Sequence, residues 1–152
     1  MTINKIKGVV RTQHKELGIC AYKVIQEEGL TVPTEIKFTS PAKGTQKYGG
    51  KCSKNAKHHN NYKIRICLKM PNYVEDPNGK YSYNNKPEVK YRRAGGIWKP
   101  FKGVIKIMAH EIAHIKFWEH GPTHTSYTAY IEKKLIKMLG EKGITPECDP
   151  FE

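Results

Sequence analysis

Residues 103–118 of this chain are apolar around most of a helix circumference, yet they carry His110-Glu111-Ile112-Ala113-His114 within them. A helix with so wide an apolar surface has to be buried among other elements, so this segment must sit at the centre of whatever the chain folds into. On a helix, residues four apart lie about 40° apart around the axis and roughly 6 Å along it. His110 and His114 can therefore aim two imidazoles at one ion, with Glu111 placed to act on a water there. The alternative is two ordinary helix histidines with Glu111 exposed. Three features favour the metal: the predicted helix, the apolar run Val104-Ile105-Lys106-Ile107-Met108-Ala109 ahead of the pentapeptide, and a third histidine beyond it.

That third histidine, His120, cannot join the others if the helix runs straight on. It would point about 120° away from His114 and lie roughly 9 Å further along the axis. Gly121-Pro122 follows directly, and proline disfavours helix at the residue before it. The spacing thus predicts helix, loop and helix, with His120 in the loop. His124 and Glu132 are rival third ligands. The offset also equals that of H-E-x-x-H-x-x-G-x-x-H enzymes, but Phe117 stands where those have a turn-making glycine.

Around this helix the pattern predicts an α+β domain over 1–152. A first helix spans about 9–28, with Val10, Leu17, Cys20, Ala21, Val24 and Ile25 at spacings near three and four, and Gly29 stops it. Glu35-Ile36-Lys37-Phe38-Thr39 and Tyr62-Lys63-Ile64-Arg65-Ile66-Cys67-Leu68 alternate as strands. The link at 40–50 is turn-rich and leaves room for part of another strand. Residues 71–100 show no sustained apolar period. They are expected either as disordered chain or as a tyrosine-rich hairpin inserted ahead of the central helix. A last helix at about 124–140 puts Tyr127, Tyr130, Ile131, Leu135 and Met138 on one side.

No run of apolar residues is long enough for a transmembrane helix. The first residues lack the apolar core of a secretory signal, so an intracellular location is expected. Cys20, Cys52, Cys67 and Cys148 contain no C-x-x-C pair, and reduced thiols are expected. Cys52 near His58 and His59 matches no usual zinc spacing, and Cys67 reads as strand core. The 152 residues hold 27 Lys and Arg against 14 acids, a formal net charge of +13. Such a surplus favours polyanionic partners, unless it serves only solubility. Between Tyr73 and Lys99, Tyr81, Tyr83, Tyr91 and Trp98 interleave with Lys80, Lys86, Lys90, Arg92, Arg93 and Lys99. Rings can stack on unpaired bases while cations neutralise phosphates, which makes Tyr81, Tyr83, Tyr91, Arg92, Arg93 and Trp98 candidate nucleic-acid contacts. The alternative is a solvated loop whose tyrosines pack on one another.

The stretch His110-Glu111-Ile112-Ala113-His114-Ile115-Lys116-Phe117-Trp118-Glu119-His120-Gly121-Pro122-Thr123-His124 resembles the signature of SprT-like metalloproteases. In these, H-E-x-x-H leads to a histidine just before Gly-Pro or a similar pair. Gly49-Gly50-Lys51-Cys52 followed by Tyr62-Lys63-Ile64-Arg65-Ile66 is similar to the family's glycine-then-strand segment. The likeness covers most of 9–140, but only 110–122 is specific. It implies a zincin-like domain: an N-terminal helix, a small antiparallel sheet, the H-E-x-x-H helix and a C-terminal helix. It also implies one catalytic zinc on His110, His114 and His120, with Glu111 as general base. Cleavage of proteins bound or crosslinked to DNA, especially single-stranded DNA, is the activity implied. Two departures stand out. His124 occupies a position where the family usually has an aromatic residue, so it is read as a group that supports the ligands from outside, a substrate contact or a rival ligand. No four-cysteine zinc ribbon follows the last helix.

Tyr127, His124 or a residue of 71–100 could supply the donor that stabilises an oxyanion. Two other functions compete. YgjP-like proteins share the histidine offset and suggest nucleotide pyrophosphate hydrolysis, although Asn-His-Ser usually stands there in place of Glu119-His120-Gly121. The other is a nucleic-acid-binding protein with a structural zinc, which would normally need four ligands.

Overall fold

The computed structural model describes residues 5–8, 11–41, 49–54, 61–83 and 85–147. Val10, His58, His59, Cys148 and most of the 40–50 link lie outside the described residues. The elements run β1 (Ile6–Lys7), α1 (Thr12–Glu27), β2 (Glu35–Thr39), β3 (Gly50–Lys54), β4 (Tyr62–Cys67), β5 (Lys69–Glu75), β6 (Tyr81–Tyr83), β7 (Lys86–Trp98), α2 (Phe101–Lys116) and α3 (Pro122–Glu141). The architecture is α+β, with N-terminal, central and C-terminal helices where the apolar spacing predicts them.

β1, β2, β4 and β3 form one sheet in that order. Ile36 pairs with Ile64 and Phe38 with Ile66 across β2 and β4. Residues paired in this way point to the same side, and all four are buried. On the other side, Lys63 and Arg65 are exposed. All three helices therefore contribute to one core against the apolar face: Leu17, Ala21, Val24 and Ile25 from α1, Val104, Ile105, Met108 and Ile112 from α2, and Ile131, Leu135 and Leu139 from α3.

The strand directions differ from the small antiparallel sheet expected. β1, β2 and β4 run parallel, and only β3 is antiparallel to its neighbour β4. The cause is the connection: α1 joins β1 to β2 as a crossover, which returns the chain in the same direction. The entry to that crossover needs Gly8, at φ +68°, where a Cβ would overlap the Phe38 carbonyl. β1 and β3 escape the sequence pattern because Ile6-Lys7 is too short to alternate and Gly50-Lys51-Cys52-Ser53-Lys54 has no apolar period.

Residues 69–98 form a second, antiparallel sheet in the order β5-β7-β6. It is entered and left side by side. The Lys99 backbone N–H donates to the Leu68 carbonyl at 2.8 Å, and Lys99 Nζ donates to the Cys67 carbonyl at 2.7 Å. The apolar period is lost here because the sheet packs mainly on itself, with Tyr73, Tyr81, Tyr83 and Tyr91 in edge-to-face contact on one side. Among the described residues, no helix is long and apolar enough to cross a membrane. Cys20, Cys52 and Cys67 are free thiols.

Candidate metal centre

α2 is apolar enough to be buried for most of its length, and this rigid placement aims His110 and His114 at one point. Their Nε2 atoms lie 3.2 Å apart. The helix then stops at Lys116, with Phe117 extended at φ −122° and ψ 93°, and α3 starts again at Pro122. Phe117 needs no positive φ, so the turn is made without the glycine used by H-E-x-x-H-x-x-G-x-x-H proteins. The break carries His120 back over the helix end. Its Nε2 lies 3.2 Å from that of His110 and 3.1 Å from that of His114.

Three imidazole nitrogens this close cannot all be satisfied by hydrogen bonds to one another, because each neutral ring offers either a lone pair or a proton at that atom. At His114 the choice is made. Its Nδ1–H donates to the Trp118 carbonyl at 2.9 Å, so the Nε2 lone pair faces the cluster. Burial, and then the neighbouring histidines, push His110 down to about 4. Burial also lowers His114, so both rings are neutral at physiological pH. The observed edges of 3.1–3.2 Å lie close to the N···N distance of about 3.3 Å that follows for a tetrahedral ion with bonds of roughly 2.0–2.1 Å. The donor set fits zinc.

His124 joins the cluster differently. Nitrogen atoms of His110, His114 and His124 lie within 4.8 Å of one another, a looser set than the triangle that includes His120. The His124 ring is 2% exposed, and its Nε2–H donates to the His110 carbonyl at 3.0 Å. The wider spacing of that set, against the 3.1–3.2 Å edges of the triangle, makes His120 the closer third corner.

Glu111 is buried beside the triangle, where it accepts the backbone N–H of Cys52. Burial raises its carboxyl to about 7, and the Cys52 hydrogen bond opposes that rise only in part. The same burial, with the Glu111 charge added, pushes the Cys52 thiol up to about 12, so it stays protonated. Gly50, Lys51 and Cys52 of β3 face His110, Glu111, His114, Trp118, Glu119 and His120 across a cleft of about 370 Å³. A second hollow continues past Glu111 between Gly50, Ile107, His110 and Thr128, and Glu132 lines this hollow and not the first cleft.

Gly50 is required by this closeness. A Cβ there would overlap the Ile107 side chain and come within 2.9 Å of Glu111 Oε2. We expect Gly50→Ala to cost about 1–3 kcal/mol, as overpacking typically does, and to lower activity by displacing Glu111. Thermal unfolding and kinetics check both, and a variant unchanged in each would refute the tight approach.

The other candidates are divided by the fold. Tyr127 does not line the cleft: its hydroxyl donates to Glu28 Oε1 at 3.0 Å, and its ring packs on Phe117. Tyr130 and Lys134 donate to Glu28 Oε2, so this carboxylate ties α3 to the end of α1. Tyr81, Tyr83 and Tyr91 share one face of the second sheet with Arg93, whose guanidinium lies 5.3 Å from the Tyr81 ring centre. Arg92 is exposed and paired with Asp76 at 3.2 Å, while Trp98 packs against the core under Lys69. The six candidate contacts therefore do not form one surface. The residues that motif reading underweighted are Cys52 and Trp118, which hold Glu111 and His114 through backbone groups. Such groups leave no residue-type signal, apart from the adjacent Gly49-Gly50.

Compared with protein-family models, curated proteins and solved structures, the chain finds no match. What stands is the geometry: a three-histidine cluster able to hold a metal ion, with a buried glutamate beside it, consistent with the active site of a zinc-dependent hydrolase.

Proposed function

We propose that this protein is a zinc metallopeptidase of SprT-like type, with His110, His114 and His120 as ligands and Glu111 as general base. The observation that carries the proposal is the Nε2 triangle with 3.1–3.2 Å edges, set beside a buried carboxyl at the mouth of a cleft. When bound there, zinc supplies a Lewis acid for a carbonyl and lowers the pKa of water toward about 7. Glu111 takes the proton from the attacking water and delivers it to the leaving amine. Cys52 N–H fixes the carboxylate while it does so.

The strand beside this cleft supports a peptide as its substrate. Among the described residues β3 pairs only with β4, and its Gly50, Lys51 and Cys52 form one wall of the cleft. An edge strand offers backbone donors and acceptors at strand spacing, which an extended peptide can match. The deciding experiment incubates zinc-loaded protein with a basic DNA-binding protein, with and without single-stranded DNA, and separately with nucleoside triphosphates. Proteolysis supports the proposal. Pyrophosphate release would establish the nucleotide hydrolase instead, and neither activity would leave a structural zinc.

Single-stranded DNA is the partner proposed, on the net charge of +13 and on the tyrosine face of the second sheet, where Tyr81 is 42% and Tyr83 is 50% exposed. If phosphates are contacted, log affinity falls linearly with log salt, by about 0.7 per phosphate for single strands. A titration at several salt concentrations measures the slope, and a flat response would remove DNA from the proposal.

A further inference from the structure

His120 is the weak member of the histidine triangle. It is exposed, and it sits in the break between α2 and α3 rather than on a helix. A ligand on such a segment holds its place only if the segment is pinned on both sides. On the near side, His114 Nδ1–H donates to the Trp118 carbonyl at 2.9 Å. On the far side the connection is made by His124, in the first turn of α3, whose Nε2–H donates to the His110 carbonyl at 3.0 Å. The His124 ring also stacks on His114, with ring centres 4.1 Å apart and planes at 30°, and meets His110 edge-on at 4.5 Å. One buried side chain thus touches both helix ligands and fixes where the loop carrying the third must return.

We infer that His124 is a positioning residue for the metal centre: it sets the geometry of His110, His114 and His120 without binding the ion itself. The inference rests on the zinc reading above and adds to it. A phenylalanine at this position could stack but could not donate to His110, so the direct link from α3 to the ligand helix beside His120 would be lost. Groups that orient ligands from outside the coordination shell typically contribute 10–100-fold to metal affinity.

The test uses the 152-residue chain, His124→Phe and His124→Gln, with His120→Ala as reference. Zinc affinity is read by chelator competition, ligand geometry from the visible absorption of the cobalt-loaded protein, and integrity from melting of the metal-free form. His124→Phe should bind one ion about 10–100-fold more weakly, with shifted cobalt bands and little change in metal-free melting. His124→Gln, which can still donate, should recover much of the affinity. Unchanged affinity and bands in His124→Phe would overturn the inference. So would a loss as complete as in His120→Ala, since that would make His124 a ligand. If His124→Phe does not fold, His124→Gln against His124→Met, similar in length but with no donor, makes the same comparison. Failure of the wild type to take up zinc or cobalt sinks the metal reading first; wild-type uptake with an unaffected His124→Phe sinks this inference alone.

Discussion

Glu111→Gln should retain its zinc and lose hydrolysis by about 10²–10⁴-fold, the usual contribution of a positioned general base. The substitution preserves size, and the amide oxygen can still accept the Cys52 N–H that the carboxylate accepts now. What is removed is the ability to take a proton. Full activity in this variant, with metal content confirmed, would refute the assigned role. The same substitution has an independent signature in stability. Burial holds the Glu111 carboxyl at about 7 in the folded protein, above its ordinary value of 4.5. A carboxyl raised in this way binds its proton more tightly when folded, so stability is lost as pH rises from 4.5 to 7 and stays lost above that. Glutamine carries no such loss. Metal-free Glu111→Gln should therefore be more stable than metal-free wild type at pH 8 by about 1–3 kcal/mol, and the two should converge below pH 4.5. His110, held at about 4, works in the opposite direction but is present in both proteins, so it cancels in the comparison. A difference that does not vary with pH would mean that Glu111 is not held neutral by burial.

His120→Ala should weaken zinc binding by more than the 10–100-fold typical of outer groups, because it removes one corner of the nitrogen triangle. The nearest substitute is His124, but it makes a looser set with His110 and His114 than His120 does, and its ring centre lies 5.3 Å from that of His120. Chelator competition reads the loss directly. Near-normal affinity in His120→Ala would show that His124 takes over, and would move the third corner of the site onto α3.

The central helix and its two histidines are legible in the sequence because both follow from local periodicity. The apolar positions of 101–116 repeat as a buried helix must, and the four-residue spacing sets the two side chains on one face. Strand β2 is legible for the same reason, since Glu35–Thr39 alternates. The second sheet is not. Its tyrosines pack on one another instead of on the core, so no apolar stripe marks it, and register shifts at Pro71/Tyr73 and Tyr81/Tyr83 interrupt the alternation. Parallel pairing of β1 with β2 is equally hidden, because strand direction depends on how α1 crosses over and not on the strands' own residues.

By itself, then, the sequence determined that a buried helix would present His110 and His114 together with Glu111, and that Gly121-Pro122 would break the chain beyond them. Those are consequences of helical spacing and of the clash a proline imposes on the residue before it. Only the tertiary structure decided which nitrogen completes the triangle and what state Glu111 is in. Both depend on groups distant in sequence. His124 returns on α3 to engage His110, and β3 comes close enough at Gly50 to bury the glutamate and hydrogen-bond it through Cys52. Spacing along one helix can aim ligands, but the burial that sets a carboxyl near neutrality exists only once sheet and helix are packed together.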